Sequence, residues 1–271
     1  MEPARSGLAL SVRLLGGFVV SIDGRAVPDE AWRGQKARAL IKLLALAPGA
    51  RLAREQVFDQ LWPDFTPEAA AKNLYSTLTA ARKALAPAAT VRLSAGVLAL
   101  DPAGALAIDV AAFEAAAARA RGAPDPAAYE AALALYGGEL LPDDRYEDWA
   151  IAPREALAEA FVGLLRGVAA LYEARGDRAA TTDTLQRLVA ADPLDEAAHA
   201  GLMRLHALAG NRAAALQQYE KLRSGLARDL DAEPAAETRR LYGDIVTGRF
   251  PPGERAAPAP VAPPPRPPAP A

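Results

Sequence analysis

The chain has 271 residues, 51% of them hydrophobic, with no cysteine, two histidines and a formal net charge of −2. Such a length corresponds to about two domains with ordinary cores. The missing cysteines exclude disulfides, thiol nucleophiles, iron–sulfur clusters and cysteine-ligated zinc, and the two histidines leave little for a metal site.

No apolar run reaches the ~18–20 residues of a membrane span, and the opening MEPARSGLALSVRLLG has no signal-peptide pattern. A soluble, cytoplasmic protein with no metal, cofactor or membrane partner is expected. The 67 alanines, and the 26 arginines against 5 lysines, read as the signature of a GC-rich genome. Alanine is also the best helix former, so a mostly α protein is expected. The net charge is a sum over unlike parts. Residues 1–100 carry 13 Lys/Arg against 8 Asp/Glu, a net of +5, and residues 101–271 carry a net of −7. A basic N-terminal part raises the expectation of an anionic partner there.

In chain order, LALSVRLLGGFVV followed by Asp23-Gly24 reads as two or three short antiparallel strands over residues 8–28, with a tight turn at Asp-Gly. A helix over Gln35–Ala47 carries Ala37, Leu40, Ile41, Leu43, Leu44 and Ala47 at helical period and stops at Pro48-Gly49. A second helix, Ala53–Leu61, buries Val57, Phe58 and Leu61. Thr66-Pro67-Glu68 then starts a third, with Thr66 as N-cap and Pro67 at the first helical position, running to Leu85. Residues 90–100 read as a hairpin turning at Ala95-Gly96. Strands, three helices and a terminal hairpin predict a winged helix-turn-helix.

The third helix points to DNA. Leu74, Leu78, Ala81 and Leu85 form its core stripe. Opposite them lie Lys72, Ser76, Ala80 and Lys83, with Asn73 and Thr79 at the margins and Tyr75 and Arg82 on one flank. That face offers slim polar groups for base edges, cations for phosphates and no carboxylate after Glu68. Lys72, Asn73, Ser76 and Thr79 are the candidate base contacts; Arg82, Lys83, Arg92, Lys36 and Arg38 are the candidate phosphate contacts. A basic group of Arg33, Lys36, Arg38 and Lys42 around the first helix supports the same reading.

RLLGGFVVSIDGRAV, RGQKARALIKLLALAPGARLAREQVFDQLWPD and PEAAAKNLYSTLTAARKAL together resemble the OmpR-like winged helix that opens the SARP-type transcriptional activators. The resemblance implies that the third helix is the recognition helix. Two departures stand out. The family's SRLRRAL-like motif is here Thr79-Ala80-Ala81-Arg82-Lys83-Ala84-Leu85, and SAGVLAL replaces the usual glycine–aromatic–basic wing tip, leaving Arg92 alone.

Beyond Asp109 the chain reads as helical over about 109–120, 125–137, 144–175, 178–191, 195–209, 212–230 and 234–247. LYEARGDRAA from Leu171 aligns with LHALAGNRAA from Leu205, a spacing of 34 residues, the tetratricopeptide period. Gly176 and Gly210 are placed for left-handed turns between paired helices. ALALYGGELLPDDRYEDWAIAPREAL and AGNRAAALQQYEKLRSGLARDLDAEPAAE resemble the bacterial transcriptional activation domain of the same activators. His199 and His206 are expected at the surface or partly packed. The run Asp143, Asp144, Glu147, Asp148 is expected to be a solvated helix-start cluster, with Trp149 a core anchor. Residues 251–271 hold ten prolines and read as a linker or tail to a further domain.

The expected architecture is mostly α: a winged-helix domain over 8–104, an all-α tetratricopeptide-like domain over 105–248 and a proline-rich segment over 249–271. The resemblance implies an activator that binds promoter repeats in double-stranded DNA and recruits RNA polymerase, with the tetratricopeptide-like domain expected to serve dimerisation (a homodimer) or contact with the transcription machinery. The alternative is an interaction module of a larger sensor whose winged helix binds DNA weakly or not at all. With no nucleophile–base pair or phosphate-binding glycine loop, an enzyme is not expected.

Overall fold

Residues 8–250 are described by a computed structural model, and the proline-rich stretch from residue 251 lies outside them. The chain opens with three antiparallel strands, β1 (Leu10–Arg13), β2 (Val19–Ile22) and β3 (Arg25–Ala26). Leu10 faces Ile22 and Arg13 faces Val19. Asp23 (φ 47°) and Gly24 (φ 76°) form the turn into β3, with positive φ at both central residues as the twist of a two-residue hairpin demands. A fourth strand, unforeseen in the sequence, completes the sheet: β7 (Leu106–Ile108) lies parallel to β1, so the order is β3-β2-β1-β7.

Between them come α1 (Gln35–Leu46), β4 (Arg51–Ala53), α2 (Arg54–Leu61), α3 (Pro67–Leu85) and the hairpin β5 (Ala89–Ser94) and β6 (Val97–Pro102). The hairpin turns at Ala95-Gly96 and pairs with β4 in the order β4-β6-β5. Leu40, Ile41 and Leu44 of α1, Val57 and Leu61 of α2, and Leu74, Leu78 and Leu85 of α3 share one buried core with Val91 and Leu98 of the hairpin. The helical stripes read from the sequence therefore converge as predicted, and burying each such side chain contributes about 1.5–3 kcal/mol.

The helical part comprises α4 (Asp109–Gly122), α5 (Pro126–Leu133), α6 (Asp148–Ala174), α7 (Arg178–Ala191), α8 (Glu196–Leu208), α9 (Arg212–Leu230) and α10 (Ala236–Val246). Two predicted segments are shorter than expected. α5 ends at Leu133, before Gly137 and Gly138. α6 begins at Asp148, after a single 3-10 turn at Pro142–Asp144. By contact density the chain divides between Leu171 and Tyr172, so the first compact unit holds α4, α5 and most of α6 together with the winged helix.

Within that first unit, the Asp109 carboxylate accepts hydrogen bonds from the backbone N–H groups of Leu14, Leu15 and Val110 at 2.8–2.9 Å. The Leu14–Gly16 backbone also pairs with Glu139–Leu141. The two segments approach so closely that a Cβ on Gly16 would lie 2.5 Å from the Gly137 carbonyl oxygen. Tyr136 stacks on Phe161 at 4.2 Å and meets the tilted ring of Phe113 at 5.2 Å, and burial pushes the Tyr136 phenol above its ordinary pKa, with the Glu139 charge adding to the shift.

In the second unit the repeat takes physical form. Gly176 (φ 71°) and Gly210 (φ 75°) make matching left-handed turns. Asp177 and Asn211 then cap α7 and α9 by accepting from Ala180 and Ala214 N–H. Gly248 (φ 70°) makes a third such turn after α10. Tyr219 and Tyr242 stack at 4.1 Å over a core of Met203, Ala215 and Ile245.

His199 is buried more deeply than the surface or partly packed position expected of it. It is 1% exposed, its Nδ1 accepting from Gln218 Nε2 at 2.9 Å and its Nε2–H donating to the Pro193 carbonyl at 3.1 Å. An imidazole with a hydrogen-bond partner at both nitrogens can be buried where an unpaired one could not. Trp149 is only half-buried, its Nε1–H donating to Glu147; Ala150 beside it is the fully buried residue.

Candidate nucleic-acid interface

The local sequence dictates how α3 is presented. Thr66 Oγ1 accepts from Ala69 N–H at 3.3 Å, Pro67 occupies the first turn with Glu68, and Arg82 and Lys83 lie in the last turn, each placement favourable to the helix dipole. Ala70, Leu74, Thr77, Leu78, Ala81, Ala84 and Leu85 are buried. Lys72, Tyr75, Ser76, Thr79, Arg82 and Lys83 are exposed on the other side, and Asn73 and Ala80 are half-buried between the two faces.

The half-buried margin of α3 borders a cleft of about 450 Å³ against the start of α1, lined by Arg33, Gly34, Lys36, Trp62, Asn73 and Lys83 among others. Of the nine residues predicted as contacts, Lys36, Asn73, Ser76, Thr79 and Lys83 are brought together here. Lys72 sits on the outer face of α3, one turn before Ser76. Arg33, Lys36, Lys72 and Lys83 make no ion pair among the described residues, which leaves their charge available to an anion.

The short polar side chains are oriented by their own helix. Asn73 Nδ2 donates to the Ala69 carbonyl at 2.9 Å, Ser76 Oγ to that of Asn73 at 2.8 Å and Thr79 Oγ1 to that of Tyr75 at 2.9 Å. With their donor hydrogens so engaged, the outward groups of Ser76 and Thr79 are acceptors, suited to an amino group on a base edge.

The other three predicted cations are engaged. Arg38 pairs with Asp29 at 2.5 Å and lies over the Phe18 ring. Arg92 pairs with Asp101 across the hairpin. Arg82 Nε donates to the Val91 carbonyl at 2.8 Å, tying α3 to β5.

Lys42, grouped with the basic cluster from its sequence position, does not belong to this surface. It is 8% exposed and its Nζ lies 2.6 Å from Asp144. The α1 stripe turns it inward, beside Phe18 at 5.0 Å. Asp144 is accordingly no solvated loop residue, its side chain being only 18% exposed. Sequence reasoning missed this pair because the partners stand 102 residues apart.

Among the described residues no group of three or more His, Cys, Asp or Glu could hold a metal ion, and no helix is long and apolar enough to cross a membrane.

Comparison with known proteins agrees with this architecture. Residues 108–246 match the bacterial transcriptional activator domain family. The regulatory protein DnrI of Streptomyces peucetius is 28% identical over 261 residues, covering 88% of this chain and 92% of that protein. The structure of Mycobacterium tuberculosis EmbR in complex with a low affinity phosphopeptide superposes with a TM-score of 0.67 at 23% identity. It covers 89% of this chain, which in turn spans 66% of the EmbR chain. EmbR shares the fold, a winged helix followed by helical repeats, and the family match extends over half of the present sequence. The chain belongs to the bacterial transcriptional activator domain family and is a SARP-type transcriptional regulator.

Proposed function

We propose that the chain regulates transcription by laying α3 in the major groove of promoter DNA. The observation that carries this reading is the outer face of α3, where unpaired Lys72 and Lys83 flank Ser76 and Thr79 beside the Arg33 and Lys36 cations. Lys72, Asn73, Ser76 and Thr79 face base edges; Lys83 and Lys36 face phosphates. Arg38, Arg82 and Arg92 serve as further phosphate contacts. The pairs of Arg38 and Arg92 are exposed, and such pairs are worth little in water, so a phosphate competes with the carboxylate.

In this reading residues 8–104 supply DNA contacts and residues 105–248 supply dimerisation or contact with RNA polymerase. The site of action is the nucleoid in the cytoplasm. Similarity to a regulatory protein over 92% of that protein's length supports a regulatory role.

A second reading, an interaction module whose winged helix has lost affinity for DNA, is favoured by one observation: Arg38, Arg82 and Arg92 already have protein partners. Fluorescence anisotropy on labelled promoter fragments at several salt concentrations separates the two. Salt-dependent binding that tightens on a particular fragment supports docking. Absence of binding even at low salt supports the module.

A further inference from the structure

Tyr75 is exposed over 66% of its surface, although it lies in mid-helix beside the fully buried Leu74. Isolated exposed aromatics are common on protein surfaces, so exposure alone decides nothing. Its neighbours do. Lys72 stands one turn before it and Thr79 one turn after, and no carboxylate shares that face of α3 beyond Glu68.

At about 100° per residue, Tyr75 projects within about 60° of Lys72 and close to Arg82. The Arg82–Val91 hydrogen bond marks that flank as the side toward β5. Among the described residues the Tyr75 ring stacks on no other aromatic and its hydroxyl has no hydrogen-bond partner. The Tyr75 main chain is held in place, its carbonyl accepting from Thr79, while the apolar ring faces outward.

A helix face seated in a major groove meets one apolar feature on the base edges, the 5-methyl group of thymine. We infer that Tyr75 is a specificity-determining residue whose ring packs on a thymine methyl, so that the DNA site carries a thymine at a fixed position beside the bases facing Ser76 and Thr79. This inference rests on the docking of α3 proposed above. The hydroxyl is free to donate to a phosphate, but selectivity for thymine comes from the ring.

The test uses the full chain, a random-sequence duplex library and four proteins: wild type, Y75F, Y75A and K83A. Duplexes enriched by the wild type are resynthesised with deoxyuridine for each thymidine in turn, which removes only the methyl group. One such replacement is expected to weaken wild-type and Y75F binding about fourfold, the value of one buried methyl group. The same replacement should leave Y75A unaffected, and Y75A should keep the wild-type salt dependence because no cation is lost. If no replacement distinguishes wild type from Y75A while K83A still lowers the salt dependence, the role of Tyr75 is overturned and docking stands. If no duplex is enriched and binding shows no salt dependence, docking fails and Tyr75 with it.

Discussion

Lys42 Nζ and Asp144 Oδ2 meet at 2.6 Å with side chains only 10% and 18% exposed, joining α1 of the winged helix to the 3-10 turn that precedes α6. The same turn is held by Arg154, whose guanidinium donates to the carbonyls of Leu140, Leu141 and Asp144. Within the first compact unit the winged helix is thus fastened to helical elements by charge as well as by packing.

Breaking that pair from one side strands the other charge in a poorly solvated place. Lys42→Met is expected to destabilise the protein by about 3 kcal/mol. The double variant Lys42→Met with Asp144→Leu should recover most of the loss, because neither partner is then left unpaired. Urea denaturation of the four proteins of this cycle measures the coupling; additive losses would show that the pair contributes little.

Asp109 acts through its charge and its two oxygens, accepting from three backbone N–H groups. Asparagine offers one acceptor oxygen and a donor amide, so at least one buried N–H loses its partner. Asp109→Asn should cost about 2 kcal/mol, read as a lowered thermal midpoint. Asp23→Asn serves as a control with an exposed acceptor and should cost less.

Gly16 and Gly24 both have φ 76°, but only at Gly16 would a Cβ strike backbone, at 2.5 Å from the Gly137 carbonyl oxygen. Gly24→Ala carries the conformational penalty alone, about 1 kcal/mol. Gly16→Ala adds steric displacement and should cost at least about 2 kcal/mol more. Equal losses on chemical denaturation would contradict the close approach of the two segments.

Removing the buried imidazole at His199 leaves Gln218 Nε2 and the Pro193 carbonyl without their partner. His199→Ala is expected to lose about 3 kcal/mol from the unmade hydrogen bonds and the cavity together. The exposed C-terminal end of α9 provides a comparison: Arg228→Ala, which removes a solvent-exposed pair with Asp229, should leave the denaturation midpoint in place.

Much of this fold was legible because its signals are local. Thr66-Pro67 marks the start of α3, Asp23-Gly24 and Ala95-Gly96 mark the hairpins, and the 34-residue echo of Gly176 in Gly210 marks the repeat. Each depends on backbone geometry within a few residues. What escaped was non-local. The parallel pairing of β7 with β1 joins Leu106 to Leu10, and nothing in a three-residue strand announces its partner. Lys42 and His199 look like solvent residues by type, and their burial depends on Asp144 and Gln218 arriving from distant segments. For the interface, helical phase alone placed Lys72, Ser76 and Lys83 on the outer side of α3 with Thr79 at its margin, whereas the engagement of Arg38 and Arg92 by Asp29 and Asp101 required the folded chain.

The central claim, that the outer face of α3 engages the phosphate backbone while reading bases, is tested most directly by the slope of log Kobs against log salt concentration for wild type and Lys83→Ala on the same promoter duplex. The account predicts a flatter slope for Lys83→Ala by about one unit, with weaker binding to every sequence, and an unchanged slope for Lys221→Ala on α9. Identical slopes for wild type and Lys83→Ala would contradict it.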